Sequence, residues 1–339
     1  GRVPRGGRVR GTRDPPRCER SSIASSCGDF HKRDVKPLHG LSLGAALDSR
    51  WPHESGEWHR ADHASAHLPP PDVVGAAATG MRPIVDLMFV GFLGVCGDQI
   101  FNNAAKMHYM FGGKVKIPLT IMTAIGAGSN SAAQHSETAY SVFAHYPGLK
   151  SVVPSDPYTA KGLYLAAIRD DDPVIIFNNM MLMGRGVTEG IMPGEGHVPE
   201  EPYEVSIGKA RIVREGADVT LVGIGFTTTV CSQAADELEA QGHSVEVVDL
   251  LSVSPLDEDT ILESVRKTRK IVIVDEDYPR CSVASDISAL VAEKAFDYLD
   301  SPPVRVTAPH TSVPYSRALE PMFMPSKEKV LNAAQAVLE

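Results

Sequence analysis

The chain has 339 residues, enough for about two domains, and its 43% hydrophobic and 22% charged content is typical of a soluble globular protein. Its net charge of −9 argues against non-specific nucleic-acid binding, and the longest apolar run, 84–96, is too short and interrupted to span a bilayer. The five cysteines form no CxxC pair, which favours a reducing compartment and indicates neither a zinc site nor a disulfide framework.

The first 72 residues differ in composition from the rest of the chain. Residues 1–70 carry twelve Lys and Arg against eight Asp and Glu, whereas the remainder has a net charge of −13. The Arg-rich start has the composition of a transit peptide, but Asp14 and Glu19 break that pattern, and no apolar stretch suggests secretion. We predict that residues 1–72 are disordered or mistranslated, and we expect a bacterial-type cytoplasmic protein rather than a mitochondrial one.

Strand and helix patterns alternate from residue 72 onwards. Apolar runs predict strands over 82–89, 116–126, 149–155, 173–177, 217–225, 243–250, 270–277 and 303–309. Helical spacing and flanking Gly or Pro predict helices over 93–110, 136–146, 156–170, 227–242, 257–269, 282–299 and 326–339. Strands that are apolar on both faces and alternate with helices indicate parallel sheets covered by helices, so the predicted fold class is α/β with two domains.

A Gly-, Pro- and Glu-rich stretch over 184–204 separates the two predicted domains as a linker or long surface loop. Known catalytic and nucleotide-binding signatures are absent from the sequence. The stretch "GIGFTT", 223–228, lacks the third glycine of a dinucleotide fingerprint and the lysine of a P-loop, so we interpret it as a packing turn.

Three residues and one acidic run are candidates for function by residue type. His135 follows a small-residue loop at the carboxyl end of a strand, where ligands gather in open α/β sheets, and it suits general acid–base work; the alternative is a hydrogen-bonded loop histidine. We interpret His145 as structural, and Phe92 as a core residue or a stacking platform. The acids of 170–172 end a helix, where the dipole disfavours them, so Arg169, a subunit partner or an ion should offset their charge.

Several long motifs together resemble one family. They are "GAAATGMRPIVDLMF", "DQIFNNAAKMHYMFGGK", "IGAGSNSAAQHSETAYSVFAHYPGLKSVVPSDPYTAKGLYLAAIRDDDPVIIF" and "RVTAPHTSVPYSRALEPMFMPS". The family is the beta subunit of the thiamine-diphosphate-dependent first component of 2-oxoacid dehydrogenase complexes. The resemblance covers about residues 73–339, and "DLMFVGFLGVCGDQI" and "YMFGGK" look most like the acetoin-dehydrogenase branch.

The resemblance implies a transketolase-type pyrimidine-binding domain over 73–190, a linker over 191–204 and a transketolase C-terminal domain over 205–339. It implies an alpha2beta2 assembly in which the alpha subunit binds the cofactor diphosphate through Mg²⁺ and the beta subunit binds the aminopyrimidine. The tetramer would dock on a lipoyl-bearing acyltransferase core. Cofactor activation in this family uses a glutamate, a stacking aromatic residue and an active-site histidine; Phe92 matches the aromatic residue and His135 the histidine.

Some members of the family bind a monovalent cation such as K⁺ through main-chain carbonyls and an acid. The positions that match this site are Leu119, Ala167, Ile168, Asp170 and Asp172. The cation would offset the charge of the acidic run.

The sequence departs from the family at the activating glutamate. Counting back from "ATGMRP" places that position at Ala66, and Gly91 stands where an acid or polar residue is common. We therefore expect a thiamine-dependent dehydrogenase subunit for a 2-oxoacid or acetoin. The alternatives are a non-catalytic subunit that lacks the glutamate and serves assembly only, and a transketolase-like enzyme.

Overall fold

The computed structural model describes residues 71–185 and 197–339, which form two five-stranded sheets flanked by helices. The strands are β1 Ile84–Phe89, β2 Thr120–Ile125, β3 Lys150–Val152, β4 Val174–Asn179, β5 Arg211–Arg214, β6 Val219–Gly223, β7 Val245–Asp249, β8 Ser252–Ser254, β9 Ile271–Asp275 and β10 Val304–Thr307. The first sheet has the order β1-β2-β4-β3-β8, and the second has the order β10-β9-β6-β7-β5.

Ten α-helical segments accompany these strands in the described residues. They are α1 Pro71–Ala78, α2 Leu93–Asp98, α3 Ala105–Met110, α4 Tyr140–Ala144, α5 Pro157–Arg169, α6 Phe226–Ala240, α7 Glu258–Thr268, α8 Val283–Lys294, α9 Glu320–Phe323 and α10 Lys327–Leu338. Side chains cap several of them; the Asp156 carboxylate accepts a hydrogen bond from Thr159 N at 2.7 Å, with Pro157 opening α5.

Each sheet is parallel apart from one short antiparallel edge strand, which the sequence patterns do not predict. In the first sheet β8 pairs antiparallel with β3, and in the second β5 pairs antiparallel with β7. Both strands are only three or four residues long, so they carry almost no periodic signal. The strand β8 lies late in the chain yet joins the first sheet, so the two halves share backbone hydrogen bonds.

The central strands form the core because they are apolar on both faces. Every residue of β4, β6, β7 and β9 is buried, as expected for parallel strands covered by helices. The predicted helix over 93–110 is a continuous helical segment in which a π-helical turn, Gln99–Ala104, joins α2 to α3. Of the short helix predicted over 136–146, only α4, Tyr140–Ala144, is helical, and residues 136–139 lie in the preceding loop.

The "GIGFTT" stretch is a packing turn, as interpreted from the sequence. A Cβ at Gly223 would lie 2.5 Å from Thr228 Cα, so the glycine allows the strand and helix backbones to approach. The Thr227 hydroxyl donates to the carbonyl oxygen of Val274 at 2.7 Å, which ties the turn to β9.

Some predictions fall on residues that the structure does not describe. The predicted disorder or mistranslation of 1–72 concerns residues 1–70 almost entirely, and the first part of the linker, 191–196, also lies outside the described residues. The rest of the linker, 197–204, has no helix or strand. Among the described residues no helix combines the length and apolar character needed to cross a membrane.

Candidate active site

His135 lies on the loop between β2 and α4, which we call the histidine loop, Gly126–Glu137. The backbone N–H of Gly126 donates to the carbonyl oxygen of Glu137 at 3.1 Å, so the two ends of the loop lie side by side. Both ends lie at the carboxyl end of the parallel strand β2, the edge at which open α/β sheets bind ligands.

Two phenylalanines meet the His135 ring at this edge of the sheet. Phe89 ends β1, Phe92 lies in the following turn, and their ring centroids are 4.6 Å and 5.8 Å from that of His135. All three contacts among these rings are edge-to-face, and all three residues are half-buried. The structure therefore brings the two predicted site residues together and adds Phe89, which the sequence analysis missed.

We call Phe89, Phe92 and His135 the aromatic triad. Phe89 was missed because a β-bulge changes its direction: the register between β1 and β2 shifts between Asp86 and Phe89, and Met88 has φ of 63°. The only signal in the sequence is the repeated phenylalanine of "FVGF" at the end of an apolar run.

Backbone strain is concentrated around the triad. Besides Met88, three non-glycine residues adopt left-handed conformations close to it in the chain: Asn130 with φ of 53°, Ala132 with 59° and Ala139 with 46°. For an alanine this conformation costs about 1–2 kcal/mol. Such strain persists where the surrounding structure enforces it, and it clusters at functional sites.

Gly91 explains one departure from the family pattern. A Cβ at this position would lie 2.7 Å from the carbonyl oxygen of Gln134, and 3.5 Å from Oε2 of Glu137. A side chain would therefore push against the histidine loop, and the Glu137 carboxylate occupies neighbouring space. The loop conformation seen here requires glycine at residue 91.

Buried acids from the second half of the chain surround the base of the histidine loop. Glu276, directly after β9, accepts from Ala127 N at 2.7 Å, and Glu320 accepts from Gly128 N at 2.7 Å. Burial raises the pKa of Glu276 to about 7, although the hydrogen bonds from Ala127 and Asn179 favour its charged form. The neighbouring Asp275 accepts from the Tyr140 hydroxyl, and burial raises its pKa to about 6.

The residues present suit the ring-binding half of a thiamine diphosphate site. The triad offers aromatic surface and one imidazole, and two buried polar atoms of the same loop, Asn130 Oδ1 and Ser136 Oγ, lack hydrogen-bond partners within the described part of the chain. A planar ring with polar edges would satisfy such a surface. The position of the activating glutamate, Ala66, lies outside the described residues.

The residues predicted to bind a monovalent cation lie together near the carboxyl end of α5, but protein cations already contact several of them. Arg82 Nη1 donates to the carbonyl oxygens of Ile168, at 3.2 Å, and Asp170, at 2.7 Å. Lys150 Nζ lies 2.7 Å from the Asp170 carboxylate and 3.0 Å from that of Asp172. Lys116 and Arg82 also pair with the Asp171 carboxylate, so three basic side chains offset the acidic run.

The other predicted donors to the cation are engaged within the backbone. The Leu119 carbonyl oxygen accepts from Val174 N at 2.9 Å, and that of Ala167 accepts from Asp170 N at 3.3 Å. Arg169, one of the three suggested sources of the offsetting charge, pairs with Glu204. Residues 71–185 and 197–339 hold no group of three or more His, Cys, Asp or Glu side chains that could bind a metal ion.

Comparison with known proteins agrees with this architecture. Residues 73–184 match the transketolase pyrimidine-binding domain, and residues 208–330 match the transketolase C-terminal domain. The chain is 50% identical to the beta subunit of acetoin:2,6-dichlorophenolindophenol oxidoreductase from Bacillus subtilis, over 78% of this chain and 75% of that protein. The Cupriavidus necator protein of the same name is 48% identical, over 78% and 76%. The chain belongs to this family of transketolase-like beta subunits.

The same family includes pyruvate dehydrogenase subunits. The beta subunit of the pyruvate dehydrogenase E1 component from Rhizobium meliloti is 43% identical, over 78% of this chain and 56% of that protein. A solved structure named split gene transketolase, inactive beta4 tetramer, superposes with a TM-score of 0.62 at 24% identity, over 79% of each chain, which shows a shared fold. The predicted family membership and the two-sheet α/β fold are confirmed.

Proposed function

We propose that this chain is the beta subunit of a thiamine-diphosphate-dependent dehydrogenase for acetoin or a pyruvate-like 2-oxoacid. The observation that carries the proposal is the meeting of Phe89, Phe92 and His135 at the carboxyl ends of β1 and β2. They lie within the segment that matches a pyrimidine-binding domain. Acetoin is the first candidate substrate, because the two acetoin subunits compared above share more sequence identity with the chain than the pyruvate dehydrogenase subunit does.

The triad would serve the cofactor ring and the reacting group. When bound, thiamine diphosphate supplies the carbon nucleophile that attacks the substrate carbonyl. Phe92 would hold the aminopyrimidine ring by stacking, and Phe89 would keep water from its edge. His135 would orient the substrate and exchange a proton at a ring nitrogen, since its imidazole lies beside the proposed ring site.

The chain would act within a larger assembly. An alpha subunit would bind the diphosphate through Mg²⁺, two copies of each subunit would form the tetramer, and a lipoyl-bearing acyltransferase core would accept the acyl group. The proposed location is the bacterial cytoplasm, as for the bacterial relatives. We retain the domain division at 73–190 and 205–339 as part of the proposal.

The monovalent cation near α5 stays a prediction. Because Arg82 and Lys150 already contact the Asp170 region, K⁺ would have to share these oxygens with them. A comparison of thermal unfolding in K⁺ and in a large organic cation tests this; binding would raise the unfolding midpoint in K⁺ only.

Activity of the reconstituted enzyme tests the proposed function. The chain is co-expressed with an alpha subunit of an acetoin dehydrogenase, and reduction of an artificial dye acceptor is followed with acetoin and with pyruvate. We expect turnover that requires both thiamine diphosphate and the alpha subunit, and that is faster with acetoin. A purified complex that contains cofactor but turns over neither substrate would contradict the proposal and favour the non-catalytic alternative.

A further inference from the structure

Two acids from the second half of the chain bind the main chain of the histidine loop; we call Glu276 and Glu320 the clamp acids. Oε1 of Glu276 accepts from Ala127 N at 2.7 Å. Oε1 of Glu320 accepts from Gly128 N at 2.7 Å, and its Oε2 accepts from Asn130 N at 2.9 Å. Three N–H groups within four residues of the loop therefore converge on two carboxylates.

Both clamp acids are buried, so their carboxylates depend on these hydrogen bonds for stabilisation. Glu276 is 4% exposed and Glu320 is 1% exposed. Buried carboxylates are costly unless they accept hydrogen bonds, and bonds from N–H groups to a carboxylate are stronger than neutral ones. Side-chain amides complete the arrangement: Asn179 Nδ2 donates to Glu276 at 2.6 Å, and Asn130 Nδ2 contacts Glu320.

Glycines at two positions allow the loop to pack closely on its neighbours. Gly126 has φ of +96°, and a Cβ there would lie 2.6 Å from Asn179 Nδ2 and 3.0 Å from both carboxylate oxygens of Glu276. Gly128 has φ of +100°, and a Cβ there would lie 2.3 Å from the sulfur of Met181. The loop main chain therefore packs directly on Glu276 at Gly126, and on the Met181 side chain at Gly128.

We propose that Glu276 and Glu320 are positioning residues for His135. They hold residues 127–130 in a strained path that presents His135 to Phe89 and Phe92, and they act through the main chain of the loop. The inference rests on the proposed function of His135. It makes the second half of the chain part of the active-site machinery, in addition to any role in assembly.

Glu320→Gln is the sharpest single test, because it keeps size while replacing one acceptor oxygen with a donor that faces the Asn130 N–H groups. Glu246→Gln is the matched control. Glu246 is 1% exposed, and its carboxylate contacts Ser264 and Lys267, away from the histidine loop. Both variants remove one buried carboxylate, so a general loss of stability affects both.

Hydrogen exchange and histidine NMR are measured on the full chain without cofactor or alpha subunit. In Glu320→Gln we expect the amides of residues 127–130 to exchange about tenfold faster or more, since hydrogen bonds to charged groups are lost. The ¹³Cε1 signal of His135, assigned with His135→Gln, should shift or broaden. In Glu246→Gln both readouts should match the wild-type chain.

Turnover of the alpha–beta enzyme gives the third readout. Loss of positioning should lower kcat by about 10- to 100-fold in Glu320→Gln, while KM for thiamine diphosphate stays within about threefold.

Three results would overturn the inference: unchanged exchange in Glu320→Gln, lost protection with unchanged kcat, or equal losses in Glu246→Gln. If the wild-type enzyme is itself inactive, the proposed function fails. Loop exchange and the His135 signal then decide alone whether the clamp acids position the histidine.

Discussion

The imidazole of His135 makes edge-to-face contacts with two phenylalanine rings, 4.6 Å and 5.8 Å between ring centroids, on a loop whose backbone is strained at Asn130 and Ala132. Edge-to-face contacts of this kind orient the imidazole ring.

We predict that His135→Gln lowers kcat of the assembled enzyme by about 100-fold or more, because acid–base assistance contributes about 100- to 10,000-fold. Folding should be unaffected, since the side chain is only half-buried. Steady-state turnover and circular dichroism check this. His145→Gln is the control, since His145 lies at the end of α4 and contacts Tyr146; a similar loss of kcat in both variants would contradict a specific role.

At Gly126 the sequence predicts a loop, but it does not predict that the loop requires glycine at this position. The small-residue string "GAGSN" indicates a loop, but it does not tell which glycine is required. Gly126 and Gly80 share a similar φ, +96° and +100°, but among the described residues a Cβ would meet neighbours within 4 Å at Gly126 and not at Gly80.

Comparison of Gly126→Ala with Gly80→Ala separates backbone strain from close packing. We expect Gly80→Ala to lower the free energy of unfolding by about 1–2 kcal/mol, from the backbone alone. Gly126→Ala should cost about 2 kcal/mol more, because the methyl group meets Asn179 and Glu276. Urea unfolding measures both, and equal costs would show that the loop does not pack on Glu276.

At the scale of elements, the carboxyl end of β9 and the turn after it place Asp275, Glu276 and Asp277 in the interior, each at most 4% exposed. Burial raises the pKa of all three, and that of Glu276 reaches about 7 against an ordinary 4.5. Between these two pH values the native chain holds a proton that the unfolded chain has released, so stability falls as pH rises through this window.

Glu276→Gln should flatten this dependence. In the wild-type chain, we expect Glu276 to lower the free energy of unfolding by roughly 3 kcal/mol between pH 4.5 and pH 8. The variant should lose the pH dependence that Glu276 contributes to the free energy of unfolding, while the neighbouring aspartates should still contribute theirs. Urea unfolding at several pH values measures the change, with the exposed Glu263→Gln as the control. An unchanged slope in Glu276→Gln would contradict the assigned pKa shift.

The sequence predicted the central strands and the longer helices well, because a buried parallel strand or an amphipathic helix carries its pattern locally. It missed β5, β8 and α9, which are only three or four residues long. The clamp acids were also missed. Glu320 is 190 residues from Asn130 along the chain, and no local pattern encodes a contact of that range.

His135 and Phe92 were predicted through a family resemblance, and the fold shows a physical reason for grouping them. The bulge at Met88 turns Phe89 towards the same place, and bulges leave little trace in hydrophobic alternation. A positive charge offsetting the acids after α5 was predicted, with Arg169, a subunit partner or an ion as alternative sources. Lys150, Arg82 and Lys116 contribute it, from segments that are distant in sequence.

At the scale of the whole molecule, the two sheets are joined by β8 and by a polar group around Asp249. Arg211 of β5 contacts the fully buried Asp249 at 2.9 Å and Asp156, the cap of α5, at 2.7 Å. The Ser155 hydroxyl donates to Asp249 at 2.5 Å. The first and second halves therefore share one buried charge network and should unfold together.

We predict that Arg211→Met lowers the free energy of unfolding by about 3 kcal/mol, because it leaves the Asp249 carboxylate buried without its cation. This loss of about 3 kcal/mol is at the lower end of the range for breaking a buried ion pair, because the Arg211 side chain is 35% exposed. Arg269→Met, which breaks an exposed pair with Asp300, should have little effect and is the control. Calorimetry should show one transition for the wild-type chain; equal effects of both variants would contradict the network's importance.

The most direct test of the central claim is a structure of the alpha–beta complex with thiamine diphosphate bound. We predict that the aminopyrimidine ring lies against Phe92, with His135 facing the reactive side of the cofactor and the histidine loop still held by Glu276 and Glu320. Cofactor density away from Phe92 and His135 would contradict the assignment of this edge of the sheet as the active site.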